Sequence, residues 1–302
     1  MDSIILLFLC MFLGVALQFV KVFPANSFTV LNQFVIHISL PALALFYIPK
    51  IEIGTALLFP LGIAWIGFAL SYLFFTILGK IFGWSRKLTG SLIIMGGLGN
   101  TSFVGFPVIE ALYGKQGLQT AIIVDQPGSF MVMATFGIIV AALYSKSSPQ
   151  PKAIAMKILL FPPFIAFFIA IVMNVFRFDF TPNWQSVFHK LGNTVTPIAL
   201  VAVGMQLKFD KRSKHFGFLA LGLFFKLMIT PAFFYVLYKI ILRQSGPAID
   251  VSITEAAMAP MITASVLASS YGLKPKLSSM MTGVGIPLSF VTIAFWYWVL
   301  HF

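Results

Sequence analysis

Hydrophobic residues in this chain gather in long, nearly unbroken runs separated by short groups of charges and turn formers. The clearer runs cover residues 3–21, 29–48, 56–81, 117–144, 153–176, 216–242 and 277–301. Each is close to the roughly 20 apolar residues that an α-helix needs to cross hydrocarbon. A weaker run, 190–207, carries Asn193, Thr194, Thr196 and Pro197. Two others are apolar but interrupted. Gly96, Gly97, Gly99, Asn100, Thr101, Gly105 and Pro107 break up 88–113; Pro260, Thr263, Ser265, Ser269 and Ser270 break up 250–272. The pattern predicts an all-α polytopic membrane protein of ten transmembrane helices, with the interrupted runs as the fourth and ninth.

The same landmarks recur in order along the chain. Pro41 of the second run matches Pro197 of the seventh, and Tyr113-Gly114 at the end of the fourth matches Tyr271-Gly272 at the end of the ninth. Pro127-Gly-Ser-Phe130 in the fifth matches Pro287-Leu-Ser-Phe290 in the tenth. The offsets are 156, 158 and 160 residues, which predicts a first five-helix repeat over 1–148 and a second over 149–302 within one membrane domain. Five is odd, so the second copy lies inverted relative to the first, as in many secondary transporters.

Composition and charge add sidedness. Of 302 residues, 59% are apolar and 9% charged, where a soluble domain carries about 25% charged residues. The net charge of +12 invites a nucleic-acid reading, but Lys and Arg fall thirteen against six in alternate connections. That bias puts both termini outside the cytoplasm and accounts for the basic charge without nucleic acid. The start, Met1-Asp2-Ser3, has no positive leader region, so the first run is expected to be a retained span. Cys10, the sole cysteine, offers neither a disulfide framework nor a cysteine metal site.

Candidate chemistry then concentrates in the two interrupted helices. Backbone groups at a break cannot stay unsatisfied in lipid, so a break is buried in protein or lines a wet cavity. A half-helix that starts there offers N–H groups to an anion; one that ends there offers carbonyls to a cation. The first break is expected near Gly99-Asn100-Thr101, with Gly105 and Pro107 opening the second half, and the other near Ala259-Pro260-Met261, extending to Thr263. An ordinary proline kink explains either break alone; matched breaks favour a site. Charged residues inside spans are functional candidates. Asp125, flanked by Gln126 and Pro127, could bind a proton or cation, or pair with Lys226. Glu255 could be a cation ligand or interfacial. Glu110 reads as structural, and a lone His37 more often packs than ligates. No Gly-x-x-x-x-Gly-Lys loop and no His-Glu-x-x-His motif occur, which argues against an ATP-driven pump, a metalloprotease, a resident metal and enzymatic activity generally.

The segment Leu98-Gly-Asn-Thr-Ser-Phe-Val-Gly-Phe-Pro-Val108, followed by Tyr113-Gly114, resembles the fourth-helix motif of the auxin efflux carrier family. Glu255 to Leu288, with Pro260, Tyr271-Gly272 and Gly285-x-Pro287, is similar to that family's ninth and tenth helices. Ala264 stands where plant members carry a second proline, and residues 145–152 replace their long central loop. The resemblance implies a short, bacterial-type member in an inner membrane, with the fourth and ninth helices crossed at a central substrate site. It implies alternating-access transport of small mono- or dicarboxylates. Asn100, Thr101, Gly105, Pro107, Pro260 and Thr263 would bind substrate; Asp125, Gln126 or Glu255 would bind a coupling proton or sodium ion. The expected partners are the anion and the bilayer, with no cofactor; a homodimer is left open. A cation/proton antiporter of the same architecture and a non-transporting membrane sensor are the rival expectations.

Overall fold

A computed structural model describes residues 2–24, 26–51, 54–145, 156, 159–206 and 216–302. The 148/149 boundary between the repeats and the basic residues Lys146, Lys152, Lys157, Lys208, Lys211, Arg212 and Lys214 lie outside the described residues. Among the described residues every extended element is helical. In chain order these are α1 (Asp2–Leu17), α2 (Ser27–Lys50), α3 (Thr55–Ile81), α4 (Arg86–Gly97), α5 (Thr101–Ser145) and α6 (Pro162–Val175). They are followed by α7 (Pro182–Gly192), α8 (Val195–Gln206), α9 (Phe216–Ile241), α10 (Pro247–Ala256), α11 (Ile262–Ser270) and α12 (Pro275–His301). Five of them, α2, α3, α5, α9 and α12, are long and apolar enough to cross a bilayer, and α1 and α6 are shorter apolar helices. The protein is an integral membrane protein.

The helices form two compact units. One contains Met1–Thr55, Ser102–Ile122 and Ala155–Leu207; the other contains Ala56–Thr101, Ile123–Ile154 and Lys208–Phe302. Each draws on both halves of the sequence.

The first unit is built around a close backbone approach between α1 and α8. A Cβ on Gly14 would lie 2.2 Å from the Val201 carbonyl oxygen, and one on Gly204 would lie 2.2 Å from that of Met11. Only hydrogen fits at either place, which is how small residues bring membrane helices together. Gln18 Nε2 secures the contact by donating to the Gly204 carbonyl at 2.8 Å. Asn174 of α6 donates to the carbonyls of Ile48 and Ile51 at 2.7 and 2.6 Å, satisfying the end of α2. Glu110 accepts from Thr196 Oγ1 at 2.7 Å, which gives it the structural contact its position suggested.

The second unit packs around α4, whose residues from Leu88 to Gly97 are all buried. Phe75, Leu92, Ile93, Met95, Phe225 and Met281 are central to its core. Wide turns with i→i+5 spacing interrupt two neighbouring helices: Val124–Phe130 in α5, which contains Pro127, and Phe225–Ile229 in α9, just before Pro231. Pro231 has no N–H to offer the Leu227 carbonyl four residues earlier. Trp296 Nε1 supplies it at 3.0 Å, and Trp65 Nε1 donates at 3.0 Å to the Pro127 carbonyl. One indole thus supplies the donor that Pro231 lacks, and the other satisfies a carbonyl within the wide turn at Pro127.

Candidate substrate and coupling site at the helix breaks

Helix α4 stops at Gly97 because Leu98 turns to extended backbone, φ −114°, ψ 118°. The chain re-enters a helix at Thr101, through a wide turn to Gly105, and becomes a regular α-helix from Phe106, with Pro107 at its second position. Proline suits that place because its ring fixes a helical φ. In the second half, α10 ends at Ala256 and α11 starts at Ile262, after Met261 in extended backbone. Ala264 is buried in the first turn of α11, a place where a second proline would also have been tolerated.

Inside the second unit the two breaks pair with each other. Gly99 and Pro260 form an isolated antiparallel bridge. Asn100 N–H donates to the Ala259 carbonyl at 2.7 Å, and Met261 N–H donates to the Leu98 carbonyl at 2.9 Å. In this register Gly99 and Pro260 face one another as a non-hydrogen-bonded pair. The proline therefore costs the bridge no donor. Glycine opposite it is also explained: a Cβ there would sit 3.1 Å from Lys226 Nζ.

A cluster of buried charge surrounds the bridge. Lys226 is 3% exposed, Asp125 2% and Glu255 0%. The Lys226 ammonium donates to the Ala256 carbonyl at 3.0 Å, neutralising the negative end of α10 with a cation of the protein's own. Glu255 interacts electrostatically with Lys226 and with Asp125. Asp125 accepts from Thr101 Oγ1 at 2.7 Å and from Gln126 Nε2 at 2.8 Å. Neither oxygen of Glu255 has a hydrogen-bond partner among the described residues, nor has Gln126 Oε1 or Thr263 Oγ1. Buried oxygens without donors are expensive and uncommon, and they mark places where a further group has a role.

Of the residues singled out in the sequence, Asn100, Thr101, Asp125, Gln126, Glu255, Pro260 and Thr263 all belong to the second unit. Gly105 and Pro107 belong to the first. Sequence reasoning missed the capping role of Lys226, which depends on where α9 packs. It also missed the 2.6 Å ion pair of Lys239 with Asp250. Charges of opposite sign at the end of one helix and the start of the next were the available signal for that pair.

A family model described as membrane transport protein matches residues 1–297. The chain belongs to that family. This is the auxin efflux carrier family that the motif around Asn100 suggested. An uncharacterized transporter of Methanocaldococcus jannaschii is 27% identical over 310 residues, covering 99% of this chain and 98% of its own. An uncharacterized transporter of Methanothermobacter thermautotrophicus is 24% identical over 300 residues, covering 98% and 96% respectively. Both likenesses run end to end, so the breaks and the charge cluster lie within the membrane transport protein region itself.

Proposed function

We propose that this membrane transport protein moves small organic anions, mono- or dicarboxylates, by alternating access, with a proton or sodium ion as coupling ion. The observation that carries the reading is the Gly99–Pro260 bridge, which joins two helix breaks beside a buried charge cluster. Backbone irregularity of this kind is tolerated at membrane depth only where protein or a wet cavity satisfies it. In this reading Asn100, Thr101, Pro260 and Thr263 hold the substrate carboxylate. Asp125, Gln126 and Glu255 hold the coupling ion.

The proposal includes ten spans in an inverted five-plus-five repeat, both termini non-cytoplasmic, in a cell membrane of the bacterial inner-membrane type. Several observations support it. Helix α5 runs for 45 residues, about 68 Å at the α-helical rise, which is more than twice the hydrocarbon thickness. Gly114 breaks it with φ 69°, and the matching Gly272 has φ 67°. Gly83 after α3 and Arg243 after α9 also share positive φ, at 62° and 51°.

Uptake of labelled malate, malonate and indole-acetate into proteoliposomes tests the function. Asn100→Ala should reduce uptake at least tenfold while the purified protein keeps its Tm. Undiminished uptake would remove the substrate site from the breaks. The Glu255 carboxyl, without a hydrogen-bond donor among the described residues, favours a second reading, a cation/proton antiporter. In that case Glu255→Gln abolishes ion exchange and no organic anion moves.

A further inference from the structure

We propose that a basic cavity at one end of the second unit binds the phosphate of an anionic phospholipid. The cavity measures about 400 Å³ and is lined by Ser85, Arg86, Lys87, Tyr144, Ser145 and Lys274. Three of these six side chains are cations and none is a carboxylate. The chain brings them together from three places: the start of α4 with the residue before it, the end of α5, and the residue that precedes α12.

Arg86 is anchored by one hydrogen bond from Nη2 to the Leu143 carbonyl at 2.7 Å. A guanidinium has five N–H donors, so most remain for a ligand. The Lys87 ammonium lies beside the Gly272 turn, 3.9 Å from where a Cβ on that glycine would be. Helices α4 and α12, of 12 and 27 residues, both begin here. Their N-terminal ends add partial positive charge to that of the three side chains. An oxyanion of phosphate type matches this field and the fork of Arg86.

The surroundings select a lipid over a soluble phosphate. Ile81 is 68% exposed, Phe82 65% and Leu143 52%, so residues close in sequence to the cavity's lining present hydrocarbon outward. Trp84 stands between Phe82, stacked at 6.0 Å, and Phe218, edge-on at 5.3 Å, in the manner of the aromatic belt at headgroup level. A phosphate seated among the cations would have acyl chains running along this apolar wall. The charge bias also assigns Arg86, Lys87 and Lys274 to cytoplasmic connections, the leaflet richest in anionic lipid.

Native mass spectrometry and thermal melting of the full chain in neutral detergent test the site, with phosphatidylglycerol, phosphatidylcholine and inorganic phosphate as probes. Phosphatidylglycerol should be retained and should raise Tm; phosphatidylcholine and inorganic phosphate should do neither. Each exposed cation contributes about fivefold to anionic lipid binding, so Lys87→Gln with Lys274→Gln should weaken retention roughly 25-fold. The double Arg variant should restore it, and both variants should melt like the parent without lipid. Parental retention by the Gln variant overturns the proposal. Equal binding of phosphatidylcholine overturns the anionic requirement, and equal stabilisation by inorganic phosphate overturns the lipid assignment. The comparison of the three probes on the parent protein decides the matter even if a variant fails to fold.

Discussion

Asp125 and Glu255 are both carboxyl side chains within one buried cluster, yet their hydrogen bonding is opposite. Asp125 accepts from Thr101 and Gln126, whereas both oxygens of Glu255 lack a donor among the described residues. Hydrogen bonds to a charged group contribute about 1.5–3 kcal/mol each. Asp125→Asn should therefore lower Tm markedly, because an amide presents a donor to a neighbour that also donates. Glu255→Gln should lower Tm less, because it forfeits the electrostatic contact with Lys226 but no hydrogen bond, while abolishing the response of uptake to an imposed ion gradient. Differential scanning fluorimetry with gradient-driven uptake separates the two, and equal Tm losses would contradict the assignment. Lys226→Met should be the most damaging of the three, since removing one member of a buried charged group costs about 3 kcal/mol or more.

His189, in α7 and outside the apolar spans, gives a pH-dependent case at the same scale. Partial burial lowers its pKa from the ordinary 6.5, and Lys115 and Lys50 lower it further, with Glu110 acting the other way. Below 6.5 the unfolded chain thus binds a proton more readily than the folded one. Stability tied to His189 is whole above 6.5 and is lost as pH falls through 6.5 toward the folded value. Hydrogen exchange at the ring carbon, followed by mass spectrometry, should give a midpoint below 6.5.

At the scale of elements, the positions of the two breaks were legible because glycine and proline announce where a helix cannot continue. Gly99 and Pro260 are the residues that meet. Gly105 and Pro107 were less transparent: the helix resumes at Thr101, and Pro107 then takes the second place of its regular stretch. The sequence offered Asp125 as a partner for Lys226, and no local pattern says that its ammonium reaches the end of α10. The bridge register makes Pro260→Ala mild, as an added N–H there would not point into the pairing. Gly99→Val should be severe, because its side chain would enter the space of the Lys226 ammonium. Uptake assays should rank them in that order. Elsewhere, Gly14→Val should lower Tm by at least the equivalent of the 1–3 kcal/mol typical of overpacking, its Cβ lying 2.2 Å from a carbonyl oxygen.

For the whole molecule, the proposed inverted repeat makes a statement about sides of the membrane. Single cysteines at Ser85 and Lys274, in a chain where Cys10 is replaced, should react with an impermeant maleimide from one side. A cysteine at Arg177 should react only from the other. Labelling of all three from one side would refute the inverted topology.

The bridge also sets a timetable for synthesis. The N–H of Asn100 and the carbonyl of Leu98 wait for partners at Ala259 and Met261, about 160 residues further along the chain. Until that stretch leaves the ribosome, the first break sits in the bilayer with its backbone unmet, a condition lipid does not tolerate. A nascent chain arrested before Met261 should therefore be held by insertion chaperones and cleared by membrane proteases, whereas one arrested after α12 should persist.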